Sequence, residues 1–334
     1  MKKLLLIPSL ASVAALALLA LSGCETIVDV DTPPHTPRLA LSYMLSNQPA
    51  TTDYNFFFQN RALFVSGSQG VLETQRVEGR ADASVQLFDE TGRVVEQFRS
   101  KRRAGGYNSS TGQPDSVGGY YVPTRGFVGE PGRMYTLRAA APGLEAVEST
   151  LTLPGQAVIE TGSFVAGQSN PNTYGRRGRL TCSILDNAGA TDYYLAYARL
   201  LDRNGNYWGD VRPDYSIGGD GPDISVNRFQ LSESSNSYGQ YPFSDAGSNG
   251  QRLSFSADVL LQYRGSTSTT REAAYIEFVV SSITLDTYRF YQSLQRYYDT
   301  DGNPFAEPTP LYSNVRPGYG LFGGATDAVY RIAL

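Results

Sequence analysis

The chain has 334 residues, a hydrophobic fraction of 41% and a formal net charge of −4. This length is enough for one large or two ordinary domains, and the hydrophobic fraction excludes a wholly disordered chain. The acidic balance, with a pI near 5.2, argues against a nucleic-acid partner, because phosphate binding needs clustered Lys and Arg.

Residues 1–23 have the layout of a bacterial lipoprotein signal peptide. Two lysines precede an apolar run over residues 4–21, and small residues then lead to Cys24. An ordinary signal peptide or a single-span anchor is the alternative, since the run is at the lower limit of a membrane span. The pattern predicts cleavage before Cys24 and acylation of its sulfur, which would hold the protein at a membrane. Residues 24–37 would then be the lipidated cysteine and a proline-rich tether.

Residues 38–154 show the alternating hydrophobic pattern of short β-strands separated by turn residues. We expect an immunoglobulin-like or transthyretin-like β-sandwich here. The sequence Asp89-Glu-Thr-Gly92 predicts a hairpin turn, and residues 105–118 are expected to be a polar loop. The predicted strands lie at 39–45, 56–58, 63–65, 83–87, 94–95, 120–122, 135–139 and 147–153.

A second β-rich domain is predicted over residues 179–334, after a linker or long loop at 155–178. Residues 209–250 are rich in loop signals. A helix is expected near 285–299, because apolar residues recur there at helical spacing and Thr284 or Asp286 could cap it. The overall prediction is therefore a mostly β protein with one helix toward its C-terminal side. The strands predicted for this domain lie at 180–185, 193–201, 253–255, 259–263, 275–283 and 329–334.

The histidine and cysteine content argues against an enzyme. The single histidine, His35, lies in the tether, where a preorganised catalytic site is not expected. If Cys24 carries lipid, Cys182 has no partner in the chain, and its alternating neighbours predict a small buried strand residue. Zinc and most transition-metal sites need His and Cys clusters, so we expect no cofactor and no such metal site.

Two local patterns resemble ligand motifs. Residues 318–323 match G-x-G-x-x-G, but no helix or acidic residue follows at the required distance, so we expect glycine turns. Asp299, Asp301 and Asn303 offer the oxygen ligands that calcium favours, although their spacing departs from the EF-hand order. A turn that ends the helix is the alternative interpretation of these residues.

Aromatic residues in the loop-rich part of the second domain form a candidate ligand or partner surface. Tyrosine and tryptophan present an apolar body with a polar tip, which suits recognition loops. Packing beneath long loops is the alternative. The candidate residues are Tyr207, Trp208, Tyr215, Tyr238 and Tyr241.

Several motifs together resemble the Bacteroidetes lipoprotein family catalogued as domain of unknown function 4249. The resemblance covers almost the whole chain after Cys24. It implies an outer-membrane lipoprotein associated with SusC-like TonB-dependent importers, and it implies no catalytic residues. Surface members tend to carry several acidic residues directly after the cysteine, whereas here only Glu25 follows it directly and the next acidic residues are Asp29 and Asp31. The motifs are residues 83–92, 132–137, 243–245, 249–250, 302–308, 311–315 and 318–323.

These observations lead to one main functional expectation and two alternatives. We expect a non-enzymatic accessory protein of a TonB-dependent uptake receptor, lipid-anchored in the outer membrane and exposed at the surface rather than facing the periplasm. The first alternative is an independent glycan- or peptide-binding lipoprotein. The remote alternative is a carboxylate-dependent hydrolase, which would need two carboxyl groups about 5–10 Å apart.

Overall fold

A computed structural model describes residues 34–49, 61–70, 77, 79–101, 103–108, 113–167, 176–214, 231–232, 240–263, 273–300 and 309–334. The chain forms two compact units, Met1–His35 with Gly70–Thr74, and Thr36–Gln69 with Gln75–Leu334. Residues 34, 35 and 70 are the described part of the first unit, and His35 is exposed. Cys24 and the strand expected at 56–58 lie outside the described residues, so both remain predictions.

Nine strands form the N-terminal half of the second unit, and most match the predicted alternation. In the eighth strand Tyr135, Leu137 and Ala139 are buried while their neighbours are more exposed, as period-two patterning requires. The strands are β1 Leu39–Ser46, β2 Leu63–Gly67, β3 Ser84–Asp89, β4 Val94–Ser100, β5 Arg103–Asn108, β6 Gln113–Val117, β7 Tyr120–Pro123, β8 Met134–Ala140 and β9 Val147–Thr152.

Among the described residues, eight more strands and one helix form the C-terminal half. The helix confirms the prediction made from apolar spacing. The predominance of strands confirms the predicted mostly β fold class. The elements are β10 Val158–Ala166, β11 Arg176–Leu185, β12 Tyr193–Leu201, β13 Tyr207–Pro213, β14 Phe243–Ser244, β15 Arg252–Tyr263, β16 Tyr275–Ile283, α1 Leu285–Thr300 and β17 Tyr319–Ala333. Within the described ranges, no helix is both long and apolar enough to cross a membrane.

Both halves belong to one large mixed sheet. Its strand order is β10-β11-β15-β13-β12-β16-β17-β1-β2-β7-β4-β3-β8-β9, with β14 paired to β12 and with β5 and β6 as a separate two-stranded sheet. The two halves meet where β1 pairs in parallel with β17. The immunoglobulin-like two-domain description is therefore not confirmed, because the hydrogen-bonded sheet is continuous across the expected boundary.

Three clusters of buried apolar side chains stabilise the unit. The first is built almost entirely from β10–β17, and the second mainly from β1–β9 with Val315 and Phe322 added. The third lies between α1 and the sheet, where Tyr291 is buried and Tyr288 and Leu294 pack against it. Full burial of one such large side chain contributes about 1.5–3 kcal/mol. The tyrosine stripe of α1 thus faces the core.

The start of α1 and the environment of Cys182 fit the sequence expectations. Thr284 caps the helix, since its Oγ1 accepts a hydrogen bond from the N–H of Thr287 at 3.3 Å. The alternative cap, Asp286, instead accepts hydrogen bonds from Tyr312 and Asn314. Cys182 is fully buried, and burial raises the pKa of its thiol to about 12. An inert structural thiol is expected in such an environment.

Three loop predictions are corrected by the strands. Residues 105–118 are not simply a loop, because β5 and β6 pair there as a hairpin outside the main sheet. The stretch 155–178 is not only a linker or long loop, because it contains the edge strand β10. The hydrophobic alternation of β10 is weak because most of its residues are exposed. Residues 319–323 belong to β17 rather than to turns, because glycines there allow close approach to β1.

Candidate functional site

The predicted aromatic surface is only partly described. Tyr207 and Trp208 open β13, where consecutive side chains point to opposite faces of the sheet. Trp208 is half-buried and packs against the first hydrophobic cluster, so it serves packing at least in part. Tyr207 donates a hydrogen bond to Asp210 at 2.6 Å, and Tyr241 is half-buried. Tyr215 and Tyr238 lie outside the described residues.

The predicted calcium loop is also mostly outside the described residues. Asp299 is exposed in the last turn of α1, and Asp301 and Asn303 are not described. That loop therefore remains a prediction. A different acidic site is present in the C-terminal half.

Three aspartates meet at one end of the sheet. Asp186 directly follows β11, Asp192 directly precedes β12, and Asp245 directly follows β14. Since β11 and β12 are consecutive in the chain, a short connection holds the first two together. Strand β14 pairs with the start of β12, with Tyr193 opposite Ser244, and this register brings Asp245 beside Asp192. One carboxylate oxygen from each aspartate lies within 4.8 Å of the other two.

Asp186 is held in place by two hydrogen bonds. Its Oδ1 accepts from the Tyr194 hydroxyl at 2.5 Å, and its Oδ2 accepts from the Gly250 N–H at 2.8 Å. Gly250 has a φ of +74°, and a Cβ there would lie 2.6 Å from that of Ala188. The two loops that carry the aspartates therefore pack closely, and this contact fixes the orientation of the Asp186 carboxylate.

Asp245 is the unusual member of the cluster. Its side chain is 0% exposed, and neither carboxylate oxygen has a hydrogen-bond partner in the described part of the chain. Its backbone is hydrogen-bonded on both sides, because its N–H donates to the Asp192 carbonyl at 3.2 Å and its carbonyl accepts from the Ser248 N–H at 2.6 Å. A buried ionised group without compensation costs several kcal/mol. The carboxylate of Asp245 therefore needs a compensating ligand, which can be a cation or a proton.

The electrostatics of the cluster agree with this requirement. Burial, followed by the neighbouring carboxylates Asp186 and Asp245, raises the pKa of Asp192. Burial and the nearby Asp186 also raise the pKa of Asp245. Among the described residues, no Arg or Lys forms an ion pair with any of the three. The site thus concentrates negative charge without a protein cation.

Solvent has access to the cluster from one side. Asp192 is half-buried, and together with Asp186 and Tyr194 it lines a cavity of about 310 Å³. The three carboxylates are closer together than the about 5–10 Å that separates the two carboxyl groups of glycosidases. An all-oxygen donor set of this kind instead suits hard cations such as calcium, magnesium or manganese.

The sequence contained a weak signal for this site that pattern reasoning missed. Each aspartate lies directly at a strand end, and turn residues such as Asn187 and Gly189 follow the first of them. Aspartates are common at such positions for turn formation alone, so the pattern is not specific. More than 50 residues separate Asp192 from Asp245, and the pairing of β14 with β12 is what reveals the cluster.

Comparison with known proteins identifies the family of the chain. The family model described as "Domain of unknown function (DUF4249)" matches residues 25–331. No curated protein matches the chain.

Proposed function

This chain belongs to the DUF4249 family, and from that premise we propose that it is a lipid-anchored accessory protein of an outer-membrane nutrient-uptake complex. Its partner would be a SusC-like TonB-dependent receptor, and its source a member of the Bacteroidetes. The protein would act by binding and not by catalysis. It would lie at the cell surface rather than face the periplasm.

The observation that carries this proposal is the position of the family match relative to Cys24. The match begins at residue 25, directly after the cysteine that ends the signal-like segment. A lipidated protein whose family domain begins directly after the anchored cysteine would have this arrangement. The described part of the chain adds a large β scaffold whose single cysteine is buried, which agrees with a binding role.

The finer description of the fold also belongs to this proposal. The second hydrophobic cluster comes mainly from residues 39–153, and the first comes from residues 180–332. We propose that these clusters mark an N-terminal sandwich-like domain over 38–154 and a second β-rich domain over 179–334. The parallel pairing of β1 with β17 would then join two domains that each have their own core.

Replacing Cys24 is expected to abolish lipid attachment. In cells grown with an alkyne-labelled palmitate, the wild-type chain should carry label and the Cys24→Ser variant should show only background. Cys182→Ala is the matched control and should keep full labelling, because the Cys182 thiol is buried in β11. Label on Cys24→Ser equal to that of the wild type would contradict the lipoprotein assignment.

Purification of the tagged full chain from its native membrane tests the partnership. In mild detergent, a TonB-dependent receptor should be recovered with the wild-type chain in comparable molar amount. The receptor should be lost when Cys24→Ser removes the anchor. Proteinase K added to intact cells beforehand should deplete the chain if it lies at the surface.

Recovery of the wild-type chain alone would overturn the partnership. It would favour the alternative function, an independent glycan- or peptide-binding lipoprotein. A cavity of about 250 Å³ with aromatic lining is the feature that favours this alternative. Its lining includes Tyr43, Phe64, Tyr120 and Phe290.

A further inference from the structure

We propose that Asp186, Asp192 and Asp245 bind one calcium ion, a role that the receptor partnership neither requires nor assigns. One carboxylate oxygen from each residue lies within 4.8 Å of the other two. Calcium–oxygen distances are about 2.3–2.6 Å, so two oxygens on one ion are at most about 5 Å apart. The cluster therefore has the dimensions of a single coordination shell.

The buried carboxylate of Asp245 points to a ligand independently of the clustering. It is 0% exposed, and both of its oxygens lack a hydrogen-bond donor among the described residues. Buried charges in proteins are paired with an opposite charge or coordinate a metal. The nearby backbone N–H groups of Asp192 and Asp245 lower the pKa of Asp245 but do not outweigh its burial. Since no arginine or lysine of the described chain pairs with the cluster, a cation at its centre would compensate Asp245.

Asp186 has the arrangement of an oriented metal ligand. Its two oxygens accept hydrogen bonds from Tyr194 and Gly250, and each oxygen keeps a further lone pair. Hydrogen bonds of this type orient the carboxylates that coordinate metals. The half-buried Asp192, which lines the cavity of about 310 Å³ beside the cluster, gives the ion a path from solvent.

The donor set favours calcium over other divalent ions. Zinc prefers His and Cys, and neither is part of this cluster. Magnesium demands near-ideal octahedral geometry and usually keeps several waters, whereas calcium accepts irregular shells built from carboxylates and carbonyls. The ion would join the loop over residues 186–192 to the loop over 245–250 at one end of the sheet.

Thermal unfolding of the full chain, purified in mild detergent and treated with EDTA, tests the site. Millimolar CaCl₂ should raise the unfolding midpoint of the wild type by at least about 3 °C in a saturable manner. Isothermal titration should show one site. Asp245→Asn should weaken calcium binding at least about tenfold and remove most of the shift.

The controls separate calcium binding from folding and from general salt effects. Asp245→Asn keeps the side-chain volume and removes one of three repelling carboxylates, so its calcium-free midpoint should not fall. Should Asp245→Asn fold poorly, Asp192→Asn is the second variant, because Asp192 is half-buried. It too should lose the calcium-dependent rise of the unfolding midpoint. Glu145→Gln removes the same charge at an exposed turn and should keep the wild-type response.

Three results would overturn the proposal. The first is the absence of a calcium-dependent shift in the wild type, which would favour a proton shared between Asp186 and Asp245. The second is a calcium-dependent rise of the unfolding midpoint that is equal in the wild type and in both aspartate variants. The third is a rise of the unfolding midpoint with MgCl₂ that equals the rise with CaCl₂ in every variant, which would show a general ionic effect.

Discussion

Replacing Gly320 by alanine is expected to destabilise the protein more than any other single change considered. Gly320 has a φ of +110° and lies opposite Leu41 where β17 pairs with β1. A Cβ at this position would lie 1.8 Å from the Leu41 carbonyl oxygen. Because β1 is also hydrogen-bonded to β2 on its other side, it cannot move away without disrupting the sheet. We expect a loss of at least about 4 kcal/mol in the free energy of unfolding.

Two other glycines separate the steric effect from the backbone effect. Gly92 has a positive φ of +80° but nothing within 4 Å of its Cβ position, so Gly92→Ala should cost about 1–2 kcal/mol. Gly155 has neither a positive φ nor a close neighbour, and Gly155→Ala should be neutral within about 0.5 kcal/mol. Urea unfolding of the three variants measures the series. A Gly320→Ala variant no less stable than Gly92→Ala would refute the close approach of β17 to β1.

Removal of Asp327 is the change with the second-largest expected effect. The Arg61 guanidinium donates to both oxygens of Asp327, at 2.6 and 2.8 Å, and Ser281 donates to the same carboxylate. The two charged side chains are only 9% and 1% exposed. Asp327→Ala would leave a buried arginine without its carboxylate, which typically costs about 3–5 kcal/mol. The same urea experiment measures this loss.

A surface ion pair gives the matched control. Arg138 and Glu148 join β8 to β9 with exposures of 58% and 51%. Glu148→Ala should therefore change the free energy of unfolding by no more than about 1 kcal/mol. The double variant Arg61→Met with Asp327→Leu should recover much of the loss, because apolar replacement of a buried pair is often nearly neutral. Equal losses for Asp327→Ala and Glu148→Ala would contradict a buried pair.

Both changes act where the N-terminal and C-terminal strands meet. Arg61 lies two residues before β2, and Asp327 and Gly320 lie on β17. The pair and the glycine therefore stabilise the same junction by different means, one through charge and the other through close backbone approach. Gly320 and Asp327 are seven residues apart on β17, or about 23 Å at a rise of about 3.3 Å per residue, so their effects should be nearly additive when combined.

The sequence by itself determined the local elements of this protein. The alternation in β1 and β8 and the helical spacing in α1 each predicted the observed element, since both patterns depend on neighbours a few residues apart. Burial of Cys182 followed from the same alternation. Edge strand β10 was missed because most of its residues are exposed and its sequence alternates little. The hairpin of β5 and β6 was missed as well.

Only the tertiary structure decided how these elements combine. The pairing of β1 with β17 joins residues about 280 positions apart, and no local pattern encodes such a partner. The same applies to Asp245, which the short strand β14 brings beside Asp186 and Asp192. A carboxylate at a strand end has the same sequence signature whether it forms a turn or a metal site. The burial of Asp245 and the lack of a well-formed hydrogen bond to it among the described residues are properties of the folded chain alone.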